Sequence, residues 1–154
     1  MIKVTKLLYT LSIFTFLGIL LYVYAFLPNK IGIFFDESGE ATLAINKAVF
    51  FYACLGLFAL TNGIIILYRR MSRGQLNLSQ TDFKEMTTTE IAYHWLSGLS
   101  FVFNVIYIFS IMFIGMYYNS EHFDVTNYVT LIYIGPILLA GWFFWFIYLQ
   151  FSKK

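Results

Sequence analysis

Charge is scarce in this chain of 154 residues: 12% are Asp, Glu, Lys or Arg, about half the share of an average soluble domain. Cysteine occurs once, proline twice and histidine twice. The single cysteine, Cys54, lies inside an apolar run, which excludes a disulfide framework, a Cys-x-x-Cys redox pair and a thiolate zinc site. No phosphate-binding glycine loop, His-Glu-x-x-His motif or dinucleotide fingerprint is present. With 10 basic and 8 acidic residues the formal net charge is +2, too small for a nucleic-acid surface.

What fills the space is apolar: 60% of the residues are hydrophobic and 21% aromatic. They fall in four long runs, and at about 1.5 Å per residue each run is long enough to cross a hydrocarbon core of roughly 30 Å. The sequence therefore predicts an all-α membrane protein, a single domain (1–154) of four transmembrane helices over about 7–27, 48–68, 91–118 and 125–151. Lys3 and Lys6 resemble the start of a signal peptide. The run behind them exceeds the roughly 7–15 residues of a signal core, and Tyr24-Ala25-Phe26 is not a small-x-small cleavage site, so an uncleaved anchor is expected.

Local signals set the ends. Pro28 closes the first run, because proline has no N–H to donate and disfavours helix in the residue before it. Thr87 and Glu90 have the spacing of a capping box ahead of the third run, with a Thr-rich loop that happens to end in Glu as the alternative. Gly135-Pro136 lies inside the fourth run and predicts a bend near that point, since neighbouring groups in a bundle can satisfy the freed carbonyl. The 69–90 segment reads as an ordinary connector, with an interfacial position as the alternative.

Eight of the ten basic residues, Lys3, Lys6, Arg69, Arg70, Arg73, Lys84, Lys153 and Lys154, accompany the termini and the second loop; Lys30 and Lys47 do not. The positive-inside rule then makes both termini and the 69–90 loop cytoplasmic, with the 28–47 and 119–124 loops outside. Trp95, Trp142, Trp145 and Tyr148 near one set of ends, and Tyr117, Tyr118 and Tyr128 near the other, read as interfacial belts.

Lipid tails are as apolar as leucine, so helices in a bilayer associate through small residues and interhelical hydrogen bonds. Gly56, Ala59 and Gly63 share a face of the second helix with Asn62 beside them, and Ser97, Ser100, Asn104, Ile111 and Gly115 share a face of the third. These faces are expected to pack together, Asn62 reaching Ser97 or Ser100.

Chemistry is hard to find in these residues. No carboxylate or cation lies deep in any run, although such groups usually mark relays and ion paths. His94 and His122 are expected on opposite sides of the membrane, too far apart to share a haem. His94 and Ser97 are three residues apart, but no orienting acid accompanies them. Asp36, Glu37 and Glu40 cluster around Gly39 without the alternating ligand spacing of a calcium loop, and read as a solvated turn. No catalytic residue, cofactor or metal is expected.

The segment Leu27-Pro28-Asn29-Lys30-Ile31-Gly32-Ile33-Phe34-Phe35-Asp36-Glu37-Ser38-Gly39-Glu40, followed by Asn46-Lys47, resembles an uncharacterised membrane domain also found in SdpI-type toxin-immunity proteins. Pro28, Phe35, Asp36, Gly39 and Lys47 carry the resemblance; Phe34 stands where that family commonly has histidine, and Gly32 where a second proline is frequent. The resemblance implies a small bacterial membrane protein, with immunity or signalling roles in some members. The alternation of Ile31, Ile33 and Phe35 with Gly32 and Phe34 independently predicts a short extended strand or interfacial clasp on the outer face.

The expected function is non-enzymatic: an accessory or scaffolding subunit of a larger assembly in the bacterial cytoplasmic membrane, with lipid and other membrane subunits as partners and no nucleic acid. The alternative is a toxin-immunity or envelope-sensing protein acting through the 28–47 loop, with Phe34, Phe35, Asp36, Glu37 and Glu40 as the recognition surface. A third is a partner-dependent transport or electron-transfer subunit using His94, Asn62 and Asn104.

Overall fold

A computed structural model describes residues 2–35, 41–73, 87–119 and 125–151. Its elements follow in chain order as α1 (Ile2–Phe26), β1 (Lys30–Phe35), β2 (Ala41–Asn46), α2 (Lys47–Arg73), α3 (Thr88–Asn119) and α4 (Val125–Phe151). All four helices contain a stretch long and apolar enough to cross a membrane, and the chain is a multi-pass membrane protein of the expected class. α2 and α3 extend beyond the predicted runs at both ends and α1 at its start, taking in flanking polar residues; α1 ends one residue before the predicted end, and the bounds of α4 are those predicted. α4 continues through Pro136 rather than ending there.

The helix starts are written in side chains. Asn46 Oδ1 accepts from Ala48 N at 2.8 Å and caps α2. At α3 the capping box forms: Thr87 N and Oγ1 both donate to Glu90 Oε2, at 2.6 and 3.0 Å, and Glu90 N donates back to Thr87 Oγ1 at 3.3 Å. This use explains how Glu90 can be buried.

The predicted strand exists, and it has a partner that the sequence reading leaves unassigned. β1 and β2 pair antiparallel, Lys30 with Asn46 and Ile31 with Ile45, with an irregularity between Gly32 and Phe34. The bulge breaks the alternation, so Ile31 is wholly buried while Ile33 and Phe34 are exposed. The hairpin is fastened to the bundle from three directions. Ile31 enters the hydrophobic core, Gly32 N donates to Tyr118 Oη on α3, and Lys47 covers the end of α1. The Lys47 ammonium is 3.4 Å from the Leu27 carbonyl and 4.8 Å from the centre of the Tyr24 ring, a favourable place for a cation beside the C-terminal end of a helix.

α3 is the hub. It packs against α1, α2 and α4, most extensively against α1, while among the described residues α4 touches no helix other than α3. On α1 the buried face is Ser12, Phe16, Leu20, Val23 and Leu27, the three- and four-residue spacing of one helical stripe. Phe16 stacks flat on Phe58 of α2, centroids 3.9 Å apart, with Tyr107 of α3 edge-on to both. Close approaches rest on two α3 glycines: a Cβ on Gly115 would lie 2.8 Å from Val23, and one on Gly98 would lie 2.3 Å from the Trp142 ring. Around the same contact Trp95 donates its indole N–H to the Trp142 carbonyl at 2.9 Å.

Candidate functional site

The polar residues inside the bundle gather on the interface of α1, α2 and α3. Asn104 is fully buried and bonds in both directions, its Nδ2 donating to Ser12 Oγ and its Oδ1 accepting from Asn62 Nδ2, each at 2.9 Å. Ser12 Oγ donates to the Tyr9 carbonyl at 2.7 Å, and Asn62 Nδ2 also reaches the Phe58 carbonyl at 2.9 Å. Three helices are thereby tied at one level. Beside this seam Tyr107 Oη lies 2.7 Å from Thr61 Oγ1; since the Thr61 proton goes to the Leu57 carbonyl at 2.8 Å, Tyr107 donates.

Among the described residues the partner of Asn62 is therefore Asn104 and not Ser100. Ser100 is buried one turn away on α3; Ser97 is on α3, and its side chain lies outside the described residues. The expected small-residue seam also divides. Gly56, Ala59 and Gly63 are exposed, and a Cβ on either glycine would meet nothing within 4 Å. One residue along a helix is about 100° of rotation, and α2 is turned by that amount so that Phe58, Asn62 and Ile65 face inward. The reason is energetic: an amide without a partner in lipid is costly, whereas a glycine facing lipid costs little, so Asn62 sets the rotation.

A second group lies toward the end of the bundle where α2 finishes and α3 begins. The Arg69 guanidinium sits over the Tyr93 ring, 5.3 Å from its centre. It is within electrostatic reach of Tyr9 and of the half-buried His94, which also feels Glu90. Arg69 Nε and Tyr9 Oη are enclosed, and neither has a hydrogen-bond partner among the described residues; the same holds for Asn62 Oδ1. His94 itself stands edge-on to Tyr93. Among the described residues no three His, Cys, Asp or Glu side chains converge as metal ligands would.

Of the expected recognition residues in the hairpin, Phe34 is 63% exposed on β1. Phe35 belongs to β1 with its side chain outside the described residues, and Asp36, Glu37 and Glu40 lie outside them altogether. Two grooves of about 340 and 400 Å³ flank α3, one against α1 near Tyr22 and Met116, the other against α4 near Ile106 and Pro136.

Ser12, Tyr9 and Tyr107 join this site without being singled out by the sequence reading, and Arg69 is singled out there only for its charge. The available signal was Ser12 at the head of the i, i+4 ladder Ser12, Phe16, Leu20, where a hydroxyl on an otherwise apolar stripe implies a partner. Comparison of the chain with protein-family models, with curated proteins and with solved structures finds no match.

Proposed function

We propose that the protein is a non-enzymatic accessory or scaffolding subunit of a larger assembly in the bacterial cytoplasmic membrane, with both termini cytoplasmic. The observation that supports this reading is the position of α4. It is held by α3 alone among the described helices, and no residue from Tyr133 to Phe151 is buried. A helix carrying Ile137, Phe144, Tyr148 and Phe151 at 61–70% exposure presents a broad apolar face to lipid or to partner helices. The open Gly56, Ala59 and Gly63 stripe on α2 offers a second surface, with the small residues that allow close backbone approach.

The test is photocrosslinking in native membranes, with a photoreactive residue replacing Phe144 or Ala59, followed by mild detergent extraction and mass spectrometry. Stoichiometric adducts with defined membrane proteins are the expected result; adducts with lipid alone and migration at the size of a single bundle would overturn the reading. Orientation is tested separately in a Cys54→Ala background. A cysteine at Ser38 should react with an impermeant thiol reagent added outside, and one at Ser79 should not.

A second reading is toxin immunity or envelope sensing through the outer hairpin. It is supported by an anchored strand that leaves Phe34 exposed, and by the resemblance of the 27–47 segment to the SdpI-type domain. Loss of function on replacing Phe34, with helix-face substitutions silent, would favour it over the first.

A further inference from the structure

Arg69 Nε, Tyr9 Oη and Asn62 Oδ1 are three enclosed polar atoms on the α1/α2/α3 interface, none with a partner among the described residues. Asn62 is 94% buried by its 6% exposure and lies seven residues, about 10 Å, along α2 from Arg69. Their requirements differ in sign. The Arg69 Nε–H needs an acceptor, the Asn62 carbonyl oxygen needs a donor, and the Tyr9 hydroxyl can serve either way. An anionic headgroup would satisfy Arg69 and leave Asn62 unmet, and a cation near Asn62 would be repelled by Arg69. A small neutral molecule that both donates and accepts satisfies all three, and water is the one that fits enclosed positions between helices.

We infer that this interface holds a short file of water running from Arg69 past Tyr9 to the Asn62–Asn104 pair, entered from the α2 C-terminal end and closed toward the hairpin. The closure is the Phe16–Phe58 stack. Phe16 lies one turn beyond Ser12 on α1 and Phe58 one turn before Asn62 on α2, both on the hairpin side, and above them Leu20, Val23 and Ile31 are buried and apolar. The polar path is thus one-sided. This inference does not depend on the accessory-subunit reading; it gives the chain a hydrated crevice of the kind that a transport-related role requires.

The test is water-edited solid-state NMR on the full chain in liposomes, with asparagine, phenylalanine and arginine labelled with nitrogen-15. The Asn62→Gln variant serves to assign the Asn62 side-chain signal. Magnetisation from water should reach the Asn62 and Asn104 side-chain amides nearly as fast as the exposed Asn29 amide, and several-fold faster than the Phe16 backbone amide. Tyr9→Phe should slow transfer to Asn62 while leaving Asn29 unchanged. Transfer to Asn62 and Asn104 at the Phe16 rate would overturn the inference, as would an unaltered Asn62 rate in Tyr9→Phe. A phosphorus–nitrogen dipolar contact at Arg69 combined with slow transfer to Asn62 would also overturn it, because a lipid headgroup would then occupy the crevice.

Discussion

Replacing Asn104 by alanine removes the side chain that bonds α3 to both α1 and α2, and the structure indicates how much that should cost. Two interhelical hydrogen bonds disappear, one to Ser12 and one from Asn62, both at 2.9 Å. Interhelical hydrogen bonds in membrane bundles average about 0.6 kcal/mol and reach about 1.7, so Asn104→Ala should lose roughly 1–3 kcal/mol before any packing loss. Asn62→Ala loses one interhelical bond and one bond to its own helix at Phe58. Because truncation also leaves a cavity, the single variants alone do not isolate the hydrogen bond. The double-mutant cycle does: Asn62→Ala, Asn104→Ala and the double variant should show a coupling of about 0.6–1.7 kcal/mol in reversible unfolding in detergent micelles. If both single variants destabilise but their effects add to within about 0.3 kcal/mol, the pairing is refuted, because residues in direct contact should couple by more than that.

Three further outcomes follow from named contacts. Gly98→Ala places a methyl 2.3 Å from the rigid Trp142 ring and should cost about 1–3 kcal/mol by overpacking; Trp142→Leu in the same chain should recover much of the loss, measured by thermal unfolding. Gly56→Ala and Gly63→Ala meet nothing within 4 Å and should leave the isolated bundle as stable or slightly more so, since alanine is favoured over glycine in a helix by about 1 kcal/mol. A loss of co-purifying partners in those two variants, without loss of bundle stability, would identify α2 as the assembly surface, and retention of every partner would exclude it. Thr87→Ala should cost about 0.5–2 kcal/mol through the α3 cap, and hydrogen exchange should rise over the first turn of α3 while the Asn104 region stays protected.

Much of the architecture was legible because membranes impose simple rules. Backbone groups in lipid must be satisfied within a helix, so an uncharged run of sufficient length announces a span. The start of α3 was readable because a capping box is local in sequence. The end of α1 was readable because Pro28 acts on its immediate neighbour. The hairpin was half legible: the pattern of Ile31 and Phe35 indicated an extended strand, but the pairing of Ile31 with Ile45 spans residues that carry no comparably distinctive pattern.

The candidate site shows where sequence reasoning stopped. Asn62 and Asn104 stood out as amides in apolar runs, and a partner was required for each. Which partner it would be depends on helix rotation and on the relative depth of three separate helices, and neither quantity is local. The choice of Gly56, Ala59 and Gly63 as the inward face followed the rule that small residues mark interfaces, and that rule competes with hydrogen bonding when both occur on one helix. Asn62 prevailed because the cost of leaving its amide unpaired exceeds the gain from packing a glycine. Gly98 carried no signal of its own, since its role exists only where Trp142 of another helix arrives.

The sequence by itself determined the four spans and the class of protein, because these follow from the transfer of single segments between water and lipid. The tertiary structure decided that α3 is the hub, that Asn104 joins Asn62 to Ser12, and that the Gly56 stripe faces outward. Those outcomes depend on which donors meet which acceptors once the helices lie side by side, a matter of relative position that no one segment contains.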